Sequence, residues 1–119
     1  MPYVTARYVY VTGDEEILFC RVPYLRSEPL RKEEHDRYEM PEETKETGTL
    51  MEHCLRAIDH VRLGERGIPL MGGGDWNDGM DRVKGESVWL GFFYLMVLRD
   101  FAPLCDKNTQ KELTARAQK

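Results

Sequence analysis

The sequence predicts an all-α chain of about four helices, joined by one long charged loop and one glycine-rich loop. Three observations carry this. Thr49 and Glu52 stand at capping-box spacing ahead of a regular apolar stripe, the signature of a helix start. The run from Val88 to Leu98 is apolar on nearly every side, as in a helix enclosed by protein. Near the start, Tyr3, Val4, Arg7, Tyr8 and Val11 recur at helical spacing before Gly13, a natural left-handed terminator.

Taken in order, Pro2 to Thr12 reads as the first helix, and Ile17 to Leu25 follows as a short extended strip interrupted by Pro23. Residues 26–46 change character. Of these 21 residues, 13 are Asp, Glu, Lys or Arg, and eight of them are acidic. A segment of this kind buries no face, so it is expected as a long solvated loop, either an insertion or a crossing between subunits. The second helix opens at Thr49 and places Leu50, Cys54, Ala57, Ile58 and Val61 on one stripe, with Gly64 as its expected end. Residues 65–85 are glycine-rich and irregular. Glu86 is expected to begin the apolar third helix, and Asp106 or Asn108 a last, polar one.

Composition narrows the function. At 119 residues the chain fits one domain, and 32% charged against 41% hydrophobic residues limits the core. A net charge of −4 argues against nucleic acid and anionic membrane as partners. The apolar run at Val88 is shorter than the roughly 20 residues that span a bilayer, and no secretory signal is visible. Three scattered cysteines fit neither a disulfide framework nor a CxxC zinc site, so a cytoplasmic, reduced setting is expected.

The chemistry-bearing segment is Gly72 to Met80. Three glycines relax its backbone, and Asp75 and Asp78 flank Trp76 and Asn77 before Gly79. An indole beside a carboxylic acid suits a sugar site: the ring covers the C–H face of a pyranose and the acid protonates a departing glycosidic oxygen. Burial against Trp76 would raise the pKa of such an acid. The competing reading is a turn-rich connector whose aspartates cap the next element. Calcium fits poorly, because Gly79 and Met80 stand where an EF-hand loop needs a ligand and its turn glycine. No Gly-Lys-Ser/Thr follows the glycines, so a phosphate loop is excluded. His53 and His60, seven apart on the second helix, are too distant for an i, i+4 metal pair; no metal is expected. His53 reads as a partly buried, hydrogen-bonded side chain, Cys54 as a small hydrophobe, and His35 as solvated.

Gly-Asp-Trp-Asn-Asp-Gly-Met (Gly74 to Met80), Gly-Glu-Ser-Val-Trp-Leu-Gly (Gly85 to Gly91) and Glu-His-Cys-x-Arg-Ala (Glu52 to Ala57) together resemble the glycoside phosphorylases of glycoside hydrolase family 94. The Leu-Met-Gly-Gly-Gly lead-in looks closer to the phosphorylase module of cyclic β-1,2-glucan synthases than to cellobiose phosphorylase. The resemblance runs over nearly the whole chain. It implies an (α/α)6 toroid of which residues 1–119 are a partial catalytic domain, with 65–85 as its active-site loop. It also implies inverting phosphorolysis of a β-linked oligoglucoside to α-glucose 1-phosphate, with inorganic phosphate as co-substrate and no cofactor. Asp78 would be the general acid, Trp76 the sugar platform at the −1 subsite, and Gly74, Asp75, Asn77 and Gly79 loop-shaping residues, while Glu86 would start the next helix, with a lesser claim to support the site from behind. The family's remaining sugar and phosphate ligands fall outside these residues, so the chain alone is expected to be inactive. Asp81 to Gly85 looks several residues shorter than its usual counterpart. The resemblance places the parent either free in the cytoplasm or as the cytoplasmic-side module of a membrane-bound synthase. An alternative of another class is a non-catalytic helical module that binds a glycan or self-associates as a homo-oligomer.

Overall fold

A computed structural model describes residues 1–34, 36–72 and 84–118; His35, residues 73–83 and Lys119 lie outside the described residues. The chain is mostly helical, and it also holds a two-stranded antiparallel hairpin. Helix α1 covers Pro2–Thr12 and ends on Gly13 in the left-handed conformation, φ 72°, as the sequence predicts. Pro2 in the first turn costs nothing there, since its amide would be an orphan. The buried face of α1 is not the one expected. Thr5, Ala6 and Val9 turn inward, whereas Val4, Tyr8 and Val11 are exposed. Small residues win that face because α1 must lie close to its neighbours, where Cys54 Sγ meets Thr5 Oγ1 at 3.5 Å.

After a 3-10 turn at Glu16–Phe19, strand β1 (Arg21–Arg26) pairs with β2 (Glu42–Thr49) in the register Arg21 to Thr49 and Arg26 to Glu42. The all-α expectation is corrected here, and so is the solvated loop over 26–46, which shortens to the connection between the strands. Strand β2 was illegible because it carries no large apolar residue; its support comes from pairing and from one close contact. A Cβ at Gly48 would come within 3.0 Å of Tyr24 Cε2, so only glycine lets that ring lie across the strand. Tyr24 then stacks on His53 at 3.9 Å between centroids, and the Arg56 guanidinium sits 4.5 Å from the same ring. His53 Nε2 lies 2.9 Å from the Val22 carbonyl, which fixes Nε2 as the donor. The half-buried, bonded histidine expected from sequence is what the fold contains.

Helix α2 (Leu50–Asp59) starts with the predicted reciprocal box: Glu52 N–H donates to Thr49 Oγ1 at 3.1 Å and Thr49 N–H donates to Glu52 Oε2 at 2.7 Å. It ends at His60, not at Gly64. Helix α3 (Val88–Phe101) is capped by Ser87, two residues later than expected, and α4 (Lys107–Arg116) by Asp106, whose Oδ1 accepts from Asn108 N and Thr109 N. The Thr109 hydroxyl and these amides hold the Asp106 carboxyl below its usual range. The core gathers where α1, α2 and α4 meet the second half of α3: Ala6, Cys54, Ile58, Val97, Leu98, Phe101 and Leu113. The first half of α3 behaves differently, with Val88 and Phe92 largely exposed. No described helix is long and apolar enough to cross a membrane.

Replacing Thr49 with Ala should lower stability by about 1 kcal/mol, read as the urea midpoint, because the Glu52 amide loses its side-chain acceptor. Burial, with Asp106 nearby, pushes the Cys105 thiol up to about 11, and burial also raises Cys54. Iodoacetamide at pH 7.5 should therefore label exposed Cys20 first, and Cys105 labelling in the folded chain should climb only as pH approaches 11. Equal rates at all three would contradict this packing.

Candidate active site

The glycine-rich loop is anchored by backbone pairing on both sides. Residues 62–70 form a small hairpin: Gly64 N–H donates to Ile68 O at 2.8 Å, Gly67 N–H to Gly64 O at 3.0 Å, and Leu70 N–H to Arg62 O at 2.9 Å. Gly67 takes φ 75°, the left-handed position that closes a three-residue hairpin loop. The returning arm then pairs a second time. Leu70 bridges Glu86, Met71 N–H donates to Gly85 O at 2.8 Å, and Ser87 N–H donates to Pro69 O at 2.8 Å. Residues 68–71 are thus the middle of a three-segment layer, and the chain leaves that layer at Gly72 and rejoins it at Lys84.

The layer continues directly into α3. Ser87 is buried and its hydroxyl accepts from Leu90 N at 3.2 Å, so the residue that pairs with Pro69 also fixes the helix axis. Pro69, buried as well, packs near Gly91, where an added Cβ would lie 3.7 Å from Pro69 Cδ. Glu86 turns back beneath the small hairpin. Its Oε1 accepts from the Arg66 amide at 2.9 Å, and its side chain is only 15% exposed. That amide sits at the loop position which turn geometry leaves without a backbone partner. Gly64 makes room for the carboxylate, since a Cβ there would fall 2.6 Å from Glu86 Cγ.

The sequence reads Glu86 as a helix start with a lesser claim to support the site; α3 starts at Val88 instead, and the Glu86 carboxylate ties the small hairpin's turn to the segment leading into α3. The visible signal was Gly64 and Gly67 three residues apart, a turn pattern that a helix ending at Gly64 absorbed. Of the residues that carry the sugar-site reading, Gly74, Asp75, Trp76, Asn77, Asp78 and Gly79 all lie outside the described residues. The structure brings together the two ends of their loop. His53 stands apart, on the hairpin side of α2.

Beside the layer runs an apolar groove of about 650 Å³, lined by Val61, Ile68, Pro69, Val88, Phe92 and Leu95, with Asp59 and Arg116 at one end. The Arg116 guanidinium bonds Asp59 at 2.7 Å, tying α4 to α2 there.

Residues 4–119 match the catalytic domain of the glycosyl hydrolase 94 superfamily. The chain is 41% identical over 97% of its length to the cyclic beta-(1,2)-glucan synthase NdvB of Rhizobium meliloti, of which it covers 4%. It is 32% identical over 97% of its length to a solabiose phosphorylase of Paenibacillus borealis, and 27% identical over 98% to a cellobionic acid phosphorylase of Neurospora crassa, covering 13% of each. The chain therefore spans a small fraction of these relatives.

Lys84 rejoins the layer with φ 51°, a left-handed conformation costly for a residue with a Cβ. Lys84→Gly should raise stability by about 0.5 kcal/mol, as relief of that cost exceeds the added unfolded-chain entropy. A drop in the thermal midpoint would show that the lysine side chain holds the turn.

Proposed function

The chain belongs to the glycosyl hydrolase 94 superfamily, and from that premise we propose that it is the part of an inverting glycoside phosphorylase that supplies the general acid. The observation that carries the reading is the Gly-Asp-Trp-Asn-Asp-Gly-Met motif, set between two backbone segments clamped to each other at Met71 and Gly85. Such a clamp holds both ends of a short loop in fixed register, which suits a loop that must present an acid to a substrate oxygen.

In this proposal inorganic phosphate attacks the anomeric carbon of a β-glucoside from the face opposite the leaving sugar. The phosphate oxygen–carbon bond forms as the glycosidic carbon–oxygen bond breaks. Asp78 gives its proton to the departing oxygen and is left as carboxylate, and the products are α-glucose 1-phosphate and a sugar shorter by one unit. Phosphate is itself the nucleophile, so no second carboxylate is needed as base. Trp76 would cover the apolar face of the glucosyl ring, while Asp75, Asn77 and the flanking glycines Gly74 and Gly79 shape the loop. Completion of an (α/α)6 toroid and of the phosphate site would come from sequence beyond these residues, as the much longer relatives suggest.

A second reading, a helical module that self-associates, is favoured by one observation: Phe92 is 71% exposed on α3 beside the apolar groove. Concentration-dependent oligomers of the purified chain, with no turnover in a completed enzyme, would select it.

The test places this chain at its matched position in a complete family phosphorylase and follows glucose 1-phosphate release. Asp78→Asn should lower kcat at least about a hundredfold with the fold intact. Trp76→Ala should raise KM for the glucoside up to about tenfold, the scale of one lost stacking contact. Phosphorolysis undiminished in Asp78→Asn removes the assignment.

A further inference from the structure

We infer that Glu86 is a positioning residue for the phosphorolytic loop, acting through the amide of Arg66 and the space left by Gly64. The inference rests on the reading of residues 73–83 as the carrier of the general acid, and its geometry rests on described residues alone.

Glu86 is joined to the loop's foot in two ways. Its backbone bridges Leu70, one residue before the Met71–Gly85 pairing that closes the loop. Its carboxylate reaches the other way, to the Arg66 N–H at 2.9 Å, and so ties the returning arm to the preceding small hairpin. A single side chain therefore fixes the third segment of the layer against the turn that joins the first two. The Arg66 guanidinium, 83% exposed and 3.9 Å away at its nearest, adds little to this. What the site requires of residue 86 is an acceptor oxygen on a chain of this length, more than a negative charge. What it requires of residue 64 is the absence of a Cβ, because one would occupy the volume of Glu86 Cγ and Cδ. Loss of either should let the layer shear by a fraction of an ångström, and displacements of that size at a reacting group lower rates by up to about a hundredfold.

The experiment uses the complete phosphorylase carrying this chain, with the 119-residue chain as a parallel sample for amide exchange. Glu86→Ala should cut kcat about tenfold or more at unchanged KM, and shift the basic limb of the kcat–pH profile that reports the general acid. Glu86→Gln, which keeps an acceptor oxygen, should restore kcat to within about threefold. Gly64→Ala should match Glu86→Ala, and the double variant should be no worse than either, since both break one contact. In the 119-residue chain, exchange at the Arg66 and Met71 amides should quicken in Glu86→Ala and not in Glu86→Gln. Three outcomes overturn the inference: Glu86→Gln as impaired as Glu86→Ala, full additivity of the double variant, or a lowered thermal midpoint with kcat and pH profile unmoved. Asp78→Asn runs beside them. If it keeps activity, the loop reading fails, while the exchange data still decide whether Glu86 ties the layer.

Discussion

Phe101 and Leu98 are fully enclosed where α1, α2 and α4 converge, and everything else in the chain is arranged around that burial. The second half of α3 can be enclosed only if the helix enters the core at one angle. That angle is set at its other end, where Ser87 is at once a backbone donor to Pro69 and the side-chain cap of the helix. Core and candidate site are therefore one mechanical unit. A helix of 14 residues, about four turns, carries the position of the core to the foot of the glycine-rich loop.

Helix starts were legible because they are local: Thr49 with Glu52, and Asp106 with its two following amides, each act within one turn. The hairpin was not, because β2 carries its information in a long-range partner. Gly48 is meaningful only once Tyr24 is known to lie over it, and 24 residues separate the two. The same reason hid the inward face of α1. Apolar periodicity favoured Val4, Tyr8 and Val11, whereas close approach to α2 and α3 selected Ala6 and Thr5. The proposed acid Asp78 and indole Trp76 are read from the motif alone, since both lie outside the described residues. The tie made by Glu86 was not legible, since it joins residues 20 apart through one backbone amide.

Close ion pairs play little part in holding the described site together. Arg26 with Glu42 at 2.8 Å lies on the hairpin and Arg7 with Asp100 at 3.1 Å joins two helices, whereas the Arg66–Glu86 pair of the layer is 3.9 Å long and exposed on the arginine side. The layer beneath the loop relies on backbone amides and on one hydrogen bond from the Arg66 amide to the Glu86 carboxylate.

The connection between β1 and β2 organises itself. Arg37 bonds Glu34 and reaches Glu39, and Ser27 bonds Glu39 in turn, so these side chains find their partners within the connection itself. A segment with fixed ends and internal partners is a natural site of length variation: insertions there add loop entropy that grows only slowly with length. The same hairpin could therefore be lengthened or trimmed between related chains without disturbing the core or the layer that carries the glycine-rich loop.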